Sequence, residues 1–357
     1  METTWKFYLT PEEAISGMYE ACSHATASID FEQYIFEDDL TGRRFLELLI
    51  KKAQSGVRVR LLCDAVGSHS LYSSPILAQV RARGVEVRFF NPIKPWWVHR
   101  LLNRFLRTHR KLLVTDSSVG FTGGVGIRSY PAAMRDTHVR IQGSVVAEIT
   151  AAFERMWEMT GKEERSFTFS QPASGIGEFS LLTNSPHVRQ RFTYRMFVKM
   201  FRAARRYLYI TTPYFVPDWR LLRAIKGAAR RGVDVRLMLP QSTDWKLANF
   251  ANRSFYAQVL RAGARIFEYG PTFHHAKTYV VDDEWASVGS SNLDSLSLLL
   301  NYEADVMSRN KQFISELKAH FMEDLKLTRE VVRAQWRKRA YMGQFLEILV
   351  KPLHRLM

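Results

Sequence analysis

The chain has 357 residues, of which 46% are hydrophobic, and this length allows two domains that each bury a core. Its formal charge of +16 indicates a polyanionic partner, either nucleic acid or an anionic membrane. The chain has only two cysteines, Cys22 and Cys63, which argues against a disulfide framework. Its polar N-terminus argues against a signal peptide, and the lack of an apolar run of roughly 20 residues argues against a transmembrane helix.

The first half of the chain predicts strands that alternate with helices. Residues 29–38 and two shorter runs, 56–61 and 84–89, are rich in β-branched and aromatic residues, and both shorter runs begin at a glycine. Between the first two runs, apolar residues recur at the three- and four-residue spacing of a helix: Phe45, Leu46, Leu48, Leu49 and Ala53. This alternation favours a layered α/β domain.

The second half repeats this order of elements. Residues 210–218, 232–237 and 263–268 match the three strand segments of the first half, including the glycine that opens each shorter run. An internal repeat of this extent predicts two α/β domains of the same build. If they pack with pseudo-two-fold symmetry, equivalent residues face each other across one interface.

The repeat also contains a chemical motif: a histidine, a lysine two residues later and an aspartate five residues after the lysine. Its members are His109, Lys111 and Asp116 in the first half and His275, Lys277 and Asp282 in the second. A turn of small residues begins 14 residues after each histidine (123−109 and 289−275), as Gly123-Gly124 and Gly289-Ser290. A single pair of this kind does not indicate an active site, but two copies in matching contexts predict a shared one.

Two imidazoles and two ammonium groups in one cavity suit a phosphate group. Alternate side chains of a strand share a face, so each histidine and its lysine are expected to point the same way. One neutral histidine attacks phosphorus to form a covalent intermediate, and the protonated histidine opposite gives its proton to the leaving alcohol. We expect no metal or other cofactor, because the lysines already provide a positive field.

The aspartates of the motif, Asp116 and Asp282, are counted among the candidate catalytic residues. Each lies seven residues after its histidine, an odd step that would turn it away from the site on a continuing strand. We therefore expect both to support a turn and not to react.

Domain boundaries follow from composition. We place the first domain at residues 1–170, a linker at 171–186 where Gly, Pro and Ser accumulate, and the second domain at 187–330. A basic amphipathic segment, 331–357, ends the chain, and residues 91–110 have the same mixture of Arg and Lys with Trp, Phe and Leu. Such segments are typical of helices that lie in a bilayer interface, although packing on the protein with a solvated basic face would explain them too.

These motifs resemble the phospholipase D superfamily. The second copy has the fuller pattern, with Asn292 closing Gly-Ser-Ser-Asn and Glu303 following in Asn-Tyr-Glu. Residues 211–217 (TTPYFVP), 135–141 (RDTHVRI) and 301–304 (NYEA) are similar to bacterial cardiolipin synthases, and the likeness runs from about residue 29 to the basic C-terminal segment. The resemblance implies two pseudo-symmetric α/β/α sandwich domains with the active site at their interface. Within the superfamily, the chain resembles the shorter, peripheral members that lack two N-terminal transmembrane helices.

The resemblance also implies roles for the motif residues. His109 would be the nucleophile and His275 the general acid/base, an order that pseudo-symmetry leaves reversible. Lys111 and Lys277 would bind phosphate oxygens, with Asn292 assisting them.

Further residues would support the site. Asp136 and Glu303, at offsets of 27 and 28 residues from the histidines (136−109 and 303−275), would orient the imidazoles, with Gly124 and Ser290 beside them. The family pattern after the first motif is Gly-Gly-x-Asn, whereas this chain has Gly126 in place of the asparagine. That departure removes an amide from the first half and makes the site asymmetric.

The function implied is a phosphatidyltransferase that forms cardiolipin and glycerol from two phosphatidylglycerol molecules. Its partner would be an anionic phospholipid membrane at the cytoplasmic face of a bacterial inner membrane, and a homodimer is one option. The alternatives are a phosphodiester hydrolase, a nuclease, and a membrane-binding module with a decayed site. The aliphatic residues of the basic segments argue against nucleic acid, since single-strand binding relies mainly on aromatics, and the intact histidines and lysines argue against decay.

Overall fold

The protein is described by a computed structural model that covers residues 2–92, 106–131, 134–161, 177–187, 191–244 and 246–337. Most of the first basic segment and residues 338–357 of the second lie outside this part of the chain. The described helices include none with the length and apolar character needed to cross a bilayer.

The first half folds around one seven-stranded sheet. Its elements are β1 (Thr4–Tyr8), α1 (Pro11–His24), β2 (Ser28–Gln33), α2 (Leu40–Gln54), β3 (Arg58–Asp64), α3 (His69–Tyr72), α4 (Ile76–Ala82), β4 (Glu86–Phe90), β5 (Lys111–Thr115), β6 (Val119–Gly123), β7 (His138–Gln142) and α5 (Val145–Gly161). The strand order is β1-β7-β6-β5-β2-β3-β4. β2, β3 and β4 are parallel, and β5, β6, β7 and β1 add to them in antiparallel fashion.

The second half folds around an eight-stranded sheet. Its elements are β8 (Phe179–Asn184), α6 (Phe192–Ala203), β9 (Tyr207–Thr211), β10 (Phe215–Val216), α7 (Trp219–Arg230), β11 (Asp234–Pro240), α8 (Lys246–Arg261), β12 (Arg265–Tyr269), β13 (Thr278–Val281), β14 (Trp285–Gly289), β15 (Leu293–Asp294), a π-helix (Leu296–Leu300), β16 (Glu303–Ser308), α9 (Lys311–Leu325), β17 (Thr328–Glu330) and α10 (Arg333–Arg337). The order β17-β12-β11-β9-β13-β14-β16-β8 repeats that of the first sheet, with β17 added at one edge.

This equivalence confirms the α/β fold with two halves of the same build and corrects the predicted linker. β8 lies inside residues 171–186, pairs with β16 at the edge of the second sheet, and corresponds to β1 of the first. Its sequence does not alternate strictly between polar and apolar residues, because residues on both faces of the strand are buried. Its pairing partner lies about 120 residues further along the chain. The second domain therefore begins before residue 187.

Local signals explain where the repeated helices begin and end. The Asp39 carboxylate caps α2 by accepting the Gly42 N–H, and the Asp218 carboxylate caps α7 in the same way. The turns after these helices end at Gly56 and Gly232, whose φ angles of 90° and 86° favour glycine before the chain enters β3 and β11.

A shared core joins the halves and positions the site. Leu112 and Val139 of the first sheet pack in one buried cluster with Val280 and Val306 of the second. Burial of apolar surface between the sheets fixes their relative position. As a result, the ends of β5 and β13, which carry the motif, lie close together.

Candidate active site

Each motif histidine lies just before the central strand of its half, β5 or β13, and is held by the other half. The His109 N–H donates to the Tyr302 carbonyl at 2.9 Å, and the His275 N–H donates to the Arg135 carbonyl at 2.7 Å. The two cross-connections are equivalent, since Tyr302 and Arg135 each precede a carboxylate of the site. The main chain therefore brings the two motifs to one place.

The carboxylates serve the histidines crosswise. Nδ1 of His109 lies 3.0 Å from both carboxylate oxygens of Glu303, and Nδ1 of His275 lies 2.8 Å from Oδ2 of Asp136. Glu303 and Asp136 are both fully buried. A carboxylate on Nδ1 fixes the ring orientation and leaves the other ring nitrogen for chemistry. Similar offsets along the sequence gave no sign that each acid belongs to the opposite half.

The two lysines are buried beside their histidines. Nζ of Lys111 donates to the His109 carbonyl at 2.7 Å, and Nζ of Lys277 lies 2.8 Å from Nε2 of His275. Burial lowers the pKa of Lys111 to about 7 and that of Lys277 to about 8, although nearby carboxylates oppose the shift. An anionic phosphate would favour the charged form of both lysines, so the pair is suited to binding one.

The histidines are uncharged near pH 7. Burial and then the lysine ammonium groups lower the pKa of His109 well below its usual value and that of His275 to about 4. A neutral imidazole is the form that acts as nucleophile or base. The general acid must gain its proton when the negative phosphate enters.

The two supporting carboxyl groups differ in charge state. Burial raises the pKa of Glu303 to about 7, even though hydroxyls of Ser290 and Ser297 donate to it at 2.5 Å each. Burial also opposes the charge on Asp136, but His275 and Lys277 hold its pKa far below the usual range. Asp136 is therefore the fully ionised partner of the two.

The turns after the motif carry different residues for a steric reason. A Cβ atom at Gly124 would lie 2.1 Å from Oδ1 of Asp136, so a larger residue would displace that carboxylate. The equivalent Ser290 uses its hydroxyl to bind Glu303 instead. Gly124 thus leaves room for the carboxylate of its half, whereas Ser290 holds the carboxylate of its own half by a hydrogen bond.

Asp116 and Asp282 are turn residues, and their place among the candidate catalytic residues is corrected here. Both have left-handed φ angles, 50° and 57°. The Asp116 carboxylate accepts the backbone N–H groups of residues 26–28, and that of Asp282 accepts those of residues 205–207. Each one ties the end of a central strand to the start of its neighbour, as the odd spacing indicated.

A cavity of about 680 Å³ lies between the halves. Of the predicted residues, those that line it are His109, Lys111, Gly124, His275 and Asn292. The sequence interpretation missed other lining residues, among them Tyr34, Tyr130, Tyr214, Asp244 and Ser297.

Two of the missed residues carried a signal in the repeat. Tyr34 and Tyr214 follow the first repeated strand of each half, one position apart in the repeat because Phe36 and Phe215 are equivalent. The Tyr34 ring stands edge-on to that of His109 at 4.9 Å between centroids, and the Tyr214 hydroxyl donates to Asp244. A tyrosine shortly after the first repeated strand of each half was thus an approximate guide to the cavity wall.

Comparison with known proteins gives a consistent result. The family model described as "Cardiolipin synthase, PLD-like domain" matches residues 18–157 and 197–325. A cardiolipin synthase of Halalkalibacterium halodurans is 33% identical over 99% of this chain and 72% of its own length. One of a Geobacillus species is 36% identical over 88% of this chain and 64% of its own. Cardiolipin synthase A of Pseudomonas syringae pv. syringae is 34% identical over 91% and 69%. The chain thus spans about two thirds of the length of these relatives.

Two solved structures share the fold. Phosphatidylserine synthase of Haemophilus influenzae superposes with a TM-score of 0.73 at 15% identity, covering 99% of this chain and 93% of that one. Polyphosphate kinase of Porphyromonas gingivalis gives 0.63 at 14% identity, covering 93% of this chain and 49% of that one. At such identities the likeness concerns the fold alone.

Proposed function

This chain belongs to the cardiolipin synthase family of PLD-like proteins, and from that premise we propose that it makes cardiolipin and glycerol from two phosphatidylglycerol molecules. The observation that supports this best is the pair of histidines in one cavity, each held at Nδ1 by a buried carboxylate of the opposite half. Two such imidazoles beside two lysines supply the nucleophile, the acid/base and the positive field that phosphoryl transfer needs.

In the first step, Nε2 of His109 attacks the phosphorus of one phosphatidylglycerol. The bond from phosphorus to the glycerol oxygen breaks, and that oxygen takes a proton from the imidazolium of His275. The products are glycerol and a phosphatidyl group bound to His109. The ionised Asp136 stabilises the imidazolium until the proton leaves.

In the second step, the headgroup hydroxyl of another phosphatidylglycerol attacks the same phosphorus. The neutral His275 takes the hydroxyl proton, and the bond between phosphorus and His109 breaks. Cardiolipin forms, His109 is regenerated, and His275 again holds the proton with which the cycle began.

An asymmetry between the lysines supports this assignment of roles. Both lysines donate to the main-chain carbonyl of their own histidine, but Lys277 also contacts Nε2 of His275, the atom that a nucleophile would need. The fully ionised carboxylate stands behind His275, where a general acid needs its positive charge stabilised. His109 is therefore the better nucleophile.

We place the protein at an anionic phospholipid membrane as a peripheral protein, on the cytoplasmic face of a bacterial inner membrane. The charge of +16 supports an anionic surface as partner. The homodimer stays a prediction.

Product analysis tests the proposal. Purified protein is incubated with phosphatidylglycerol vesicles in the presence of a chelator, and lipids and glycerol are measured by mass spectrometry. We expect cardiolipin and glycerol in equal amounts from the wild type and none from His109→Ala or His275→Ala. His24→Ala, which alters an exposed histidine at the end of α1, is the matched control and should retain activity.

Other products would contradict the proposal in distinct ways. Phosphatidic acid without cardiolipin would identify water as the acceptor and make the protein a hydrolase. No lipid turnover by the wild type would exclude phosphatidylglycerol as donor.

A further inference from the structure

Gly126 and Asn292 occupy equivalent places in the two halves. Each lies 17 residues after its histidine (126−109 and 292−275). The residue after Gly126, Ile127, bridges to Phe36, just as the residue after Asn292 pairs with Phe215. Both positions line the cavity, where Asn292 presents a buried side-chain oxygen that has no partner among the described residues. The first half thus lacks a polar side chain at a place where the second half has one.

A tyrosine hydroxyl stands beside Gly126. The Gly126 N–H donates to the Tyr130 hydroxyl oxygen at 2.8 Å, and a Cβ atom at residue 126 would lie 3.5 Å from that oxygen. It would also lie 3.0 Å from the Ile35 carbonyl oxygen, closer than ordinary contact. Tyr130 packs against the core of the first half and also lines the cavity. Tyr130 therefore fills the space into which a side chain at residue 126 would extend.

In the second half, the hydroxyl that accepts the equivalent backbone N–H belongs to Ser297. The Asn292 N–H donates to Ser297 Oγ at 2.9 Å, and the Ser297 hydroxyl donates in turn to Glu303. Tyr130 accepts the equivalent N–H, but within the described residues no hydrogen bond joins its hydroxyl to Asp136. The Tyr130 proton is thus not committed to the carboxylate of its half.

The phenol also keeps its proton at neutral pH. Burial, and next the negative charge of Asp136, raise the pKa of Tyr130 above its usual value. A neutral phenol in a cavity lined by His109 and His275 is a hydrogen-bond donor for an anionic guest.

We propose that the Tyr130 hydroxyl binds a non-bridging oxygen of the substrate phosphate, replacing the side-chain amide that residue 126 lacks. The ligand class is a phosphate group, free or within a phospholipid. The inference rests on the proposed function only in taking that phosphate to belong to phosphatidylglycerol.

Tyr130→Phe removes the hydroxyl and retains the ring that packs on the core. The dissociation constant of inorganic phosphate is measured by calorimetry, KM and kcat are measured on phosphatidylglycerol vesicles, and Tm is measured for each protein. A hydrogen bond to a charged group predicts about tenfold weaker phosphate binding and a rise of similar size in KM.

Tyr194→Phe is the matched control. It also removes one tyrosine hydroxyl hydrogen bond, to Asp218, but this residue does not line the cavity. We expect it to lower Tm while phosphate binding and KM stay at the wild-type values. A merely structural Tyr130 would behave in the same way.

The outcomes separate the two proposals. Phosphate binding by Tyr130→Phe within twofold of the wild type, or no phosphate binding by the wild type, would overturn the role of Tyr130. A third outcome is that the variant binds phosphate more weakly than the wild type, but the wild type makes no cardiolipin. This result would support the role of Tyr130 and refute only the choice of lipid substrate.

Discussion

The two halves of the site share one architecture and differ in the groups that surround it. Behind His275 stands Asp136, whose pKa is held far below its usual range by His275 and Lys277. Behind His109 stands Glu303, whose pKa burial raises to about 7 although two serine hydroxyls donate to it. A duplicated fold thus gives equal positions to two histidines, and the unequal surroundings give them different tasks.

The largest difference between the two histidine variants should appear with a substrate whose leaving group needs no general acid. Phosphatidyl-p-nitrophenol has a leaving group that departs without protonation. His275→Ala should release one equivalent of nitrophenolate in a burst, whereas His109→Ala should release none. On phosphatidylglycerol both variants should lose about 10⁴-fold or more in rate. Stopped-flow absorbance measures the burst, and a burst from His109→Ala alone would reverse the two roles.

Replacing the two supporting carboxylates should lower kcat by amounts that differ by about two orders of magnitude. Asp136→Asn removes the charge that stabilises the imidazolium of His275, and kcat should fall about 10³-fold. Glu303→Gln replaces a carboxyl that is already partly neutral near pH 7, so a loss of about tenfold is expected. Steady-state rates at pH 7, with Tm as a check on folding, measure the difference. Equal losses would show that the two halves are chemically alike.

Substitutions in the turns after the two motifs should lower kcat by amounts that differ less. Gly124→Ala places a methyl group against the Asp136 carboxylate and should lower kcat about 10²-fold by displacing it. Ser290→Ala removes one of the two serine hydrogen bonds to Glu303 and should cost a few-fold. Steady-state kinetics on the same vesicles compares them. A milder effect of Gly124→Ala than of Ser290→Ala would mean that Asp136 tolerates movement.

The smallest effect concerns stability and pH. His138 and Asp305 are equivalent, since they pair with Gly123 and Gly289 in their sheets. Burial lowers the pKa of His138 to about 4, so this residue adds stability as pH rises from about 4 to 6.5. Burial raises the pKa of Asp305 to about 7, so this residue takes stability away as pH rises from about 4 to 7.

Replacing these two residues should therefore change the pH dependence in opposite directions. Relative to the wild type, Asp305→Asn should gain on the order of 2 kcal/mol in free energy of unfolding between pH 4.5 and 6.5, and His138→Gln should lose a similar amount. Denaturant unfolding at pH 4.5, 5.5 and 6.5 measures both slopes. Parallel slopes for all three proteins would show that neither group shifts its pKa on folding.

Much of the fold could be predicted because its signals are local. Glycines such as Gly56 and Gly232 mark where helices give way to strands, and apolar spacing marks the helices themselves. The odd step to Asp116 and Asp282 indicated their turn role, because a strand alternates its faces. The strand β8 was missed, since six residues at a sheet edge owe their conformation to a distant partner.

The sequence by itself determined the duplication, the two histidines and the two lysines, because spacing within one short segment is a property of the chain alone. Only the tertiary structure decided which carboxylate serves which histidine. Glu303 and His109 are 194 residues apart, and Asp136 and His275 are 139 residues apart. The charge states of these acids depend on burial and neighbours that exist only when the halves are packed together. The entry of Tyr130 into the space beside Gly126 depends on the folding of the first half.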